Sequence, residues 1–183
     1  MDAIRKTALK DRTILAVRRA REDDAEKLIA YRNQVGGESD FLTQGKNECR
    51  LTVEEEKAFL RGFAGNPSDL FLVGFVGDEL ACCANLASQG KKRVAHNCEF
   101  GITVGKKYWH LGAASALLAE LIDFAKKDPV LEVIHLGVYE NNERAIRLYE
   151  KFGFEKVGRH KRFFRIGDKY YDEILMDLDL RGS

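Results

Sequence analysis

Residues 100–115, FGITVGKKYWHLGAAS, lead from an apolar strand-like run through a short loop into the first turn of a helix. Three small residues, Gly112, Ala113 and Ala114, stand where the loop becomes the helix. Small side chains allow a ligand to approach the backbone closely, and the first N–H groups of a helix have no intrahelical acceptor. Because the positive end of the helix dipole lies behind those groups, the junction predicts a site for phosphate or pyrophosphate.

The same junction has a competing structural explanation, because small residues at the start of a helix also permit close packing of that helix on a sheet. No Gly-Lys-Ser or Gly-Lys-Thr is present, which excludes a P-loop. No G-x-G-x-x-G is present either, which excludes the dinucleotide fingerprint. The phosphate site and the packing explanation both stay open at this point.

Residues 138–154, VYENNERAIRLYEKFGF, predict the end of a strand and then a short helix that Gly153 ends. Asn142 is of a type that caps helix N-termini. Tyr149 follows Ala145 by four residues and therefore shares a helix face with it. This position fits either a functional tyrosine or a core tyrosine whose hydroxyl finds a backbone partner.

Hydrophobic periodicity predicts strands and helices along most of the chain. The expected elements are a strand at 14–17, a helix from about 24 to 35, a helix after the capping box at 52–55, strands at 70–76, 80–86 and 98–104, a helix at 113–127, a strand at 133–138, a helix at 142–152, and a hairpin of 161–166 and 170–178. The central β-loop-α-β-α order implies a parallel strand pair, whereas the hairpins imply antiparallel pairs. We therefore predict an α/β (α+β) fold with a mixed, mostly antiparallel twisted sheet and helices on both faces. One domain is expected over 13–183, after a flexible arm over 1–12.

The composition argues against several classes of protein. The 183 residues include 30 Lys and Arg against 29 Asp and Glu, a net charge of +1, which is not typical of a strongly basic nucleic-acid binder. No apolar run reaches the roughly 18 residues that span a bilayer, and the N-terminus has no apolar signal-peptide core. Cys49, Cys82, Cys83 and Cys98 form no C-x-x-C pair, so we expect free, mostly buried thiols, no metal site and a cytoplasmic location.

Together these motifs resemble the GNAT-type, acetyl-CoA-dependent N-acetyltransferase superfamily. The Asn-x-x-Ala-x-x-x-Tyr-x-x-x-Gly-Phe pattern at 142–154 matches that family closely. The family's pyrophosphate loop, Gln/Arg-x-x-Gly-x-Gly/Ala, corresponds to WHLGAA at 109–114. Trp109 replaces the Gln or Arg, and Leu111 stands where Lys or Arg is common, but the backbone donors remain. Three basic residues are candidates to supply the missing charge: Lys106, Lys107 and Arg144.

The resemblance implies a central parallel strand pair that splays apart, with acetyl-CoA as co-substrate between the ends at Val104 and Val138. Backbone groups of 102–104 would pair with the pantetheine arm as an added strand does. Residues 109–115 would hold the pyrophosphate, and Asn142 would contact the pantetheine or its sulfur end. The implied cofactor-binding residues are Ile102, Thr103, Val104, Trp109, His110, Leu111, Gly112, Ala113, Ala114, Ser115 and Asn142.

The resemblance also implies direct transfer of an acetyl group to a primary amine. Tyr149 would be the general acid toward the leaving thiolate, and the Val104 N–H would meet the charge that develops on the carbonyl oxygen. Glu99 is the candidate base, with a solvated strand carboxylate as the alternative. His96 is a second candidate base.

The acceptor pocket is expected between the first two helices, their loop and the closing hairpin. Glu38 and Phe41 of that loop, with His96, are the candidate substrate residues; a polar solvated loop is the alternative. We predict an N-acetyltransferase that acts on a small molecule or a peptide N-terminus. A non-catalytic acyl-CoA-binding domain and an unrelated phosphate-binding α/β domain are the alternatives. No nucleic acid, membrane or metal is expected, and the resemblance is compatible with a homodimer.

Overall fold

The structure, a computed structural model, describes residues 4–182. Within them the chain forms eight β-strands and four α-helices, in an order close to the one that periodicity predicts. The strands are β1 (Arg5–Ala8), β2 (Ile14–Arg19), β3 (Leu70–Val76), β4 (Glu79–Ser88), β5 (Asn97–Val104), β6 (Val133–Tyr139), β7 (Glu155–Ile166) and β8 (Lys169–Asp179). The helices are α1 (Ala25–Val35), α2 (Val53–Gly65), α3 (Ala113–Lys127) and α4 (Glu143–Lys151).

All eight strands form one sheet in the order β1-β2-β3-β4-β5-β6-β8-β7. Every neighbouring pair is antiparallel except β5 and β6, which are parallel. The parallel pairing covers only Asn97–Glu99 against Val133–His135, although both strands continue beyond it. The strands therefore part after Glu99, and we call the opening between them the splay. The predicted mixed, mostly antiparallel sheet with a central splayed pair is confirmed.

Two hydrophobic cores cover the two faces of the sheet, because successive strand residues point to opposite sides. Leu72 and Cys82 belong to the core under α3 and α4, whereas Val73 and Cys83 belong to the core under α1 and α2. The helices therefore lie on both faces, as predicted. The adjacent cysteines face opposite cores, and all four cysteines are free and buried.

The helix ends form where the predicted capping residues stand. The Thr52 hydroxyl accepts from Glu55 N–H at 3.3 Å, and the Glu55 carboxylate accepts from Thr52 N–H at 2.8 Å. This reciprocal pair is the predicted capping box at the start of α2. Asn142 caps α4 through its Oδ1, which accepts from Ala145 N–H at 3.2 Å. In contrast, no side chain caps α3, whose N-cap residue is Gly112.

The prediction of a flexible arm over 1–12 is wrong for its central part. Residues 5–8 form β1, which pairs antiparallel with β2 from Arg5↔Val17 to Ala8↔Ile14. Residues 1–3 of the predicted arm lie outside the described residues. The strand escaped prediction because it is a mostly exposed edge strand, RKTA, without apolar alternation.

The closing hairpin is longer than the sequence predicts. Its first strand begins at Glu155 rather than at 161, and the second ends at Asp179. Nearly all of β7 is exposed at the other edge of the sheet, so its polar first half carries no hydrophobic pattern. Two register shifts also interrupt its pairing with β8.

An ion pair inside the α1/α2 side ties β2 to the start of α1. Arg18 binds the Asp24 carboxylate through two N–H groups, at 2.7 and 2.6 Å, and Asp24 also accepts from Arg21 N–H at 2.8 Å. Both ionised side chains are buried. Burial alone would raise the pKa of Asp24, but the hydrogen bonds from Arg18 and the Arg21 N–H lower it below its ordinary value.

We predict that Asp24→Ala lowers the free energy of unfolding by about 3–5 kcal/mol at pH 7, because it leaves the buried Arg18 guanidinium without its partner. The matched control is Asp23→Ala, an exposed carboxylate in the same turn. Chemical denaturation measures both. Because the folded-state pKa of Asp24 is depressed, its contribution is present above the unfolded pKa and falls as the pH drops through the folded one. Equal losses in the two variants would contradict the assigned role.

Candidate active site

Beyond Glu99, β6 no longer pairs with β5, so backbone groups on that edge of β5 face the splay. Gly105 N–H, just after β5, donates to Ala81 O of β4 at 2.9 Å. Since alternate residues of a strand direct their N–H and C=O to opposite neighbours, the backbone groups of Ile102 and Val104 point away from β4 and into the splay. The Thr103 backbone groups point to β4 instead. The Val104 N–H thus lies where the sequence predicts a donor. The Thr103 backbone groups, which were also predicted to pair with the pantetheine arm, do not face the splay.

The carbonyl of Val104 is already occupied by a side chain of the loop that follows. Trp109 Nε1–H donates to Val104 O at 2.7 Å, which holds the indole against the end of β5. The replacement of the family's Gln or Arg by Trp109 therefore anchors the loop to the strand.

The start of α3 presents free N–H groups. Gly112 has φ +100° and His110 has φ +63°, both in the left-handed region, so the chain turns sharply into the helix. The first intrahelical bond runs from Ala116 N–H to Gly112 O at 3.1 Å. The N–H groups of the residues between them consequently have no acceptor within the helix. This is the geometry that binds phosphate at a helix N-terminus.

Two of the three predicted cations lie beside this loop. Arg144 of α4 is 3.1 Å from His110 Nε2, and its guanidinium lies 5.6 Å from the centre of the Trp109 ring. Lys106 Nζ lies 5.9 Å from the same ring. Lys107 instead forms an ion pair with Glu79 at 2.6 Å. Burial lowers the pKa of Arg144, but a guanidinium stays charged at neutral pH.

Tyr149 lies under the splay on the α3/α4 face. Its ring packs edge-on against Phe100 of β5, with ring centres 5.8 Å apart, and contacts Phe154 at the same separation. Burial raises the pKa of Tyr149 to about 12. The phenol therefore stays protonated at neutral pH and is available as a proton donor.

Glu99 lies on the opposite face of β5 from Phe100. Cys98 and Phe100 are buried in the α3/α4 core, so the side chain of Glu99 between them points to the α1/α2 face, where it is exposed. No hydrogen bond or ion pair reaches its carboxylate from residues 4–182. The candidate acid and the candidate base thus approach the same short stretch of β5 from its two faces.

Beside Glu99 lies a histidine that sequence reasoning missed. His135 of β6 is the register partner of Glu99, so their side chains stand next to each other on one face. Its Nδ1 is 2.7 Å from the Asp177 carboxylate and its Nε2 is 2.8 Å from Asn97 Oδ1. The His135–Asp177 pair joins residues 42 positions apart, so no local motif could indicate it.

A cavity of about 190 Å³ opens on the α1/α2 face over β4 and β5. Its walls are Arg32 and Val35 of α1, Phe59 of α2, and residues 42–44 of the connecting loop. Its floor is formed by Phe71, Cys83, Asn85 and residues 101–103. The cavity therefore touches the same segment of β5 that borders the splay. The closing hairpin, which the sequence suggested as part of the acceptor pocket, contributes none of the described residues that line the cavity.

None of the three candidate substrate residues lines this cavity. The Glu38 carboxylate accepts from Lys106 N–H at 2.6 Å and from Gln34 Nε2 at 2.8 Å. Phe41 packs edge-on against Tyr139 near the end of β6, with ring centres 5.8 Å apart. His96 lies at the opposite, N-terminal end of β5, where its carbonyl accepts from the β6 backbone. Glu38 and Phe41 are thus near the splay, and His96 is not.

Within residues 4–182, no group of three or more His, Cys, Asp and Glu side chains is placed to hold a metal ion. None of the helices described has the length and apolar character needed to cross a membrane.

Comparison with known proteins agrees with this geometry. The sequence model described as the Acetyltransferase (GNAT) family matches residues 39–154. The chain is 30% identical over 130 residues to the L-amino acid N-acetyltransferase AaaT of Escherichia coli, which covers 71% of this chain and 80% of that protein. It is 37% identical over 123 residues to the N-alpha-acetyltransferase RimI of Mycobacterium tuberculosis, which covers 65% and 75%.

Solved structures share the fold over almost the whole chain. A GNAT-family acetyltransferase from Streptococcus pneumoniae superposes with a TM-score of 0.87 at 34% identity, over 90% of this chain and 98% of that one. The protein yncA of Salmonella typhimurium, solved with its cofactor acetyl-CoA, has a TM-score of 0.78 at 17% identity, over 91% and 94%.

The chain belongs to the acetyltransferase (GNAT) family. The predicted activity, acetyl transfer from acetyl-CoA to an amine, is confirmed at that level, and the chain is an acyltransferase. A non-catalytic acyl-CoA-binding role is not favoured. The resemblance drawn from residues 109–114 and 142–154 is confirmed as well.

We predict that Gly112→Val weakens binding of CoA by roughly 10-fold or more, equivalent to about 1.4 kcal/mol. A Cβ at Gly112 meets nothing within 4 Å, so the new side chain would occupy the open space before α3. Gly167→Val is the matched control, because Gly167 also has positive φ and open space, but lies in the β7–β8 turn. Isothermal titration with CoA compares the two variants. Equal affinities would place the pyrophosphate elsewhere.

Proposed function

We propose that Glu99 acts as base and Tyr149 as general acid in the transfer of an acetyl group to a primary amine. The observation that carries this proposal is their placement where β5 leaves β6: Glu99 faces the α1/α2 side, and Tyr149 packs on Phe100 from the α3/α4 side. An amine in the cavity on the α1/α2 face would reach the splay from the side opposite to Tyr149.

The free N–H groups at the start of α3, with Gly112 at its N-cap, would hold the pyrophosphate of acetyl-CoA. Backbone groups of Ile102 and Val104 fit the pantetheine arm, because they face the splay without a strand partner there. Arg144 supplies positive charge next to the loop, in place of the side chains that Trp109 and Leu111 lack. When bound, acetyl-CoA supplies the thioester carbonyl that the amine attacks.

The remaining chemistry falls to the chain's own groups. An alkylammonium has a pKa near 10.4, so the acceptor must lose a proton before it can attack at neutral pH. Glu99 receives that proton directly or through water, and His135 beside it extends the polar path to Asp177. The N–H of Val104 stabilises negative charge on the carbonyl oxygen. Tyr149 donates a proton to the departing sulfur.

The acceptor is a small molecule or a peptide N-terminus. Both classes have support among the relatives, since AaaT is an L-amino acid N-acetyltransferase and RimI is an N-alpha-acetyltransferase. We further propose a cytoplasmic enzyme, which four separate free thiols support. A homodimer is proposed through the edge strand β7, where Val157 is 57% exposed and Phe163 is 56% exposed. A net charge of +1 supports an enzyme that does not act on nucleic acid.

The test is the release of free thiol from acetyl-CoA with a panel of amino acids, polyamines, aminoglycosides and short peptides, alongside titration with CoA. Acceptor-dependent release with CoA binding supports the proposal. Binding without release from any acceptor would refute transfer to these amines, and absent binding would refute the assigned cofactor site.

We predict that Glu99→Gln lowers kcat/KM by roughly 10²-fold or more at pH 7, the usual contribution of a general base. The loss should shrink as the pH approaches about 10, because the amine then loses its proton to solvent. Rates from pH 6 to 10 measure this. His96→Gln is the control and should leave the rate unchanged. A larger effect of His135→Gln than of Glu99→Gln would transfer the role to His135.

We predict that Tyr149→Phe lowers kcat by roughly 10²-fold while the affinity for CoA stays unchanged. Since the pKa of Tyr149 is about 12, the group donates below that pH, and the wild-type enzyme should show no alkaline loss of kcat from this residue up to pH 10. Tyr170→Phe, an exposed tyrosine of β8, is the control. Full turnover of Tyr149→Phe would remove it from the mechanism.

A further inference from the structure

We infer that the cavity on the α1/α2 face selects an acceptor that carries a carboxylate next to its amine, a free α-amino acid, and that Arg32 binds this carboxylate. The inference rests on the proposed function and names the substrate class of that site. Arg32 is the charged side chain among the described residues that line the cavity. Glu38, the acidic residue among the candidate substrate residues, does not line it.

Two neighbouring side chains hold the guanidinium of Arg32 in place. Its Nη1 binds the Glu56 carboxylate of α2, and its guanidinium lies 5.5 Å from the centre of the Phe59 ring. The Glu56 side chain is fully buried, whereas 17% of the Arg32 side chain remains exposed. A rigid ion partner on one side and an aromatic ring near the guanidinium fix a group that would otherwise be mobile.

Most of the hydrogen-bonding capacity of Arg32 remains unused. A guanidinium has five N–H donors in a planar fork, and one of them serves Glu56 in the described part of the chain. The free edge can take a second carboxylate in the two-bond geometry that guanidinium groups favour. The Glu56 carboxylate cannot bind the ammonium group of a ligand, because it is buried behind Arg32 and does not line the cavity.

Asn85 adds a second polar group to the cavity floor. Its register partner is Gly101, and a Cβ on that glycine would lie 2.9 Å from Asn85 Oδ1. The absence of a side chain at 101 thus leaves room for the amide to lie over β5. No hydrogen-bond partner for this amide is found among residues 4–182, so it is available to a ligand.

The rest of the lining limits the size and polarity of the acceptor. Val35, Leu42, Phe59 and Phe71 give the cavity apolar walls. Its volume of about 190 Å³ is small, since drug-sized ligands take roughly 300–1,000 Å³. A single amino acid with an apolar side chain fits these properties. A polyamine would place a second ammonium near Arg32, and a peptide has no carboxylate beside its N-terminal amine.

The experiment compares L-leucine with three matched acceptors: leucinamide, isoamylamine and the dipeptide Leu-Gly, with spermidine as the polyamine. We expect kcat/KM for leucine to exceed that for leucinamide and isoamylamine by roughly 10- to 100-fold, as for loss of a charged hydrogen bond. Leucinamide is the strict control, because its amine has a pKa near 8 and deprotonates readily. A slower rate with leucinamide than with leucine therefore reflects the missing carboxylate and not protonation of the amine. Equal or better rates with leucinamide or spermidine would overturn the inference.

Variants test the residue itself. Arg32→Gln combined with Glu56→Gln removes both charges together, which avoids an unpaired buried carboxylate. This variant should lose the preference for leucine over isoamylamine and bind CoA as before. Arg32→Lys, which keeps the charge but loses the planar fork, should retain only part of the preference, and serves if the double variant does not fold. Arg61→Gln, from an exposed ion pair of α2, is the control. An unchanged preference in both Arg32 variants would overturn the inference.

A separate measurement distinguishes failure of the inference from failure of the proposed function. If no acceptor is acetylated although CoA binds, leucine and leucinamide are titrated into the CoA-bound protein. Saturable binding of leucine alone, abolished in the Arg32 variants, would support the carboxylate site even then. The absence of leucine binding to the wild-type protein would overturn it.

Discussion

The early end of the pairing between β5 and β6 is the constraint on which the site depends. These strands pair over three residues, while each is held on its other side by a longer antiparallel ladder, β5 to β4 and β6 to β8. Beyond Glu99, β5 therefore keeps its pairing with β4, and β6 keeps its pairing with β8. Past that residue, Gly137 of β6 has no side chain and Glu173 of β8 lies over it, since a Cβ there would be 2.1 Å from the Glu173 carboxylate. The opening itself follows from the short pairing of β5 with β6.

The alternation of side chains along β5 then places the candidate base and the candidate acid on opposite faces of the sheet. Glu99 and Phe100 are consecutive, so they point to opposite sides, and Tyr149 meets Phe100 on the side away from Glu99. In the proposed mechanism, the amine therefore approaches from the face under α1 and α2, and the general acid acts from the face under α3 and α4. Because only the strand β5 separates Glu99 from Tyr149, both side chains lie close to the splay.

Features set by local sequence were predictable, and features set by distant pairing were not. The bounds of α3 and the caps at Thr52 and Asn142 followed from helical period and capping chemistry, which act within a few residues. The edge strands β1 and half of β7 were missed because exposed edges need no apolar alternation. The pairs His135–Asp177 and Arg32–Glu56 join residues 42 and 24 positions apart, so only the folded sheet and helices bring them together.

This division explains why the cofactor side was recognisable despite its altered loop. The donors that we propose for it are backbone N–H groups of α3 and β5, which persist whichever side chain occupies 109 or 111. Trp109 changes the loop's anchoring through Val104 O, and Arg144 brings charge from another helix. The acceptor side, in contrast, is built from side chains of α1, α2, β4 and their loop. In our proposal, selectivity there depends on individual residues such as Arg32 and Asn85, and it can change without any change in the motif that identifies the family.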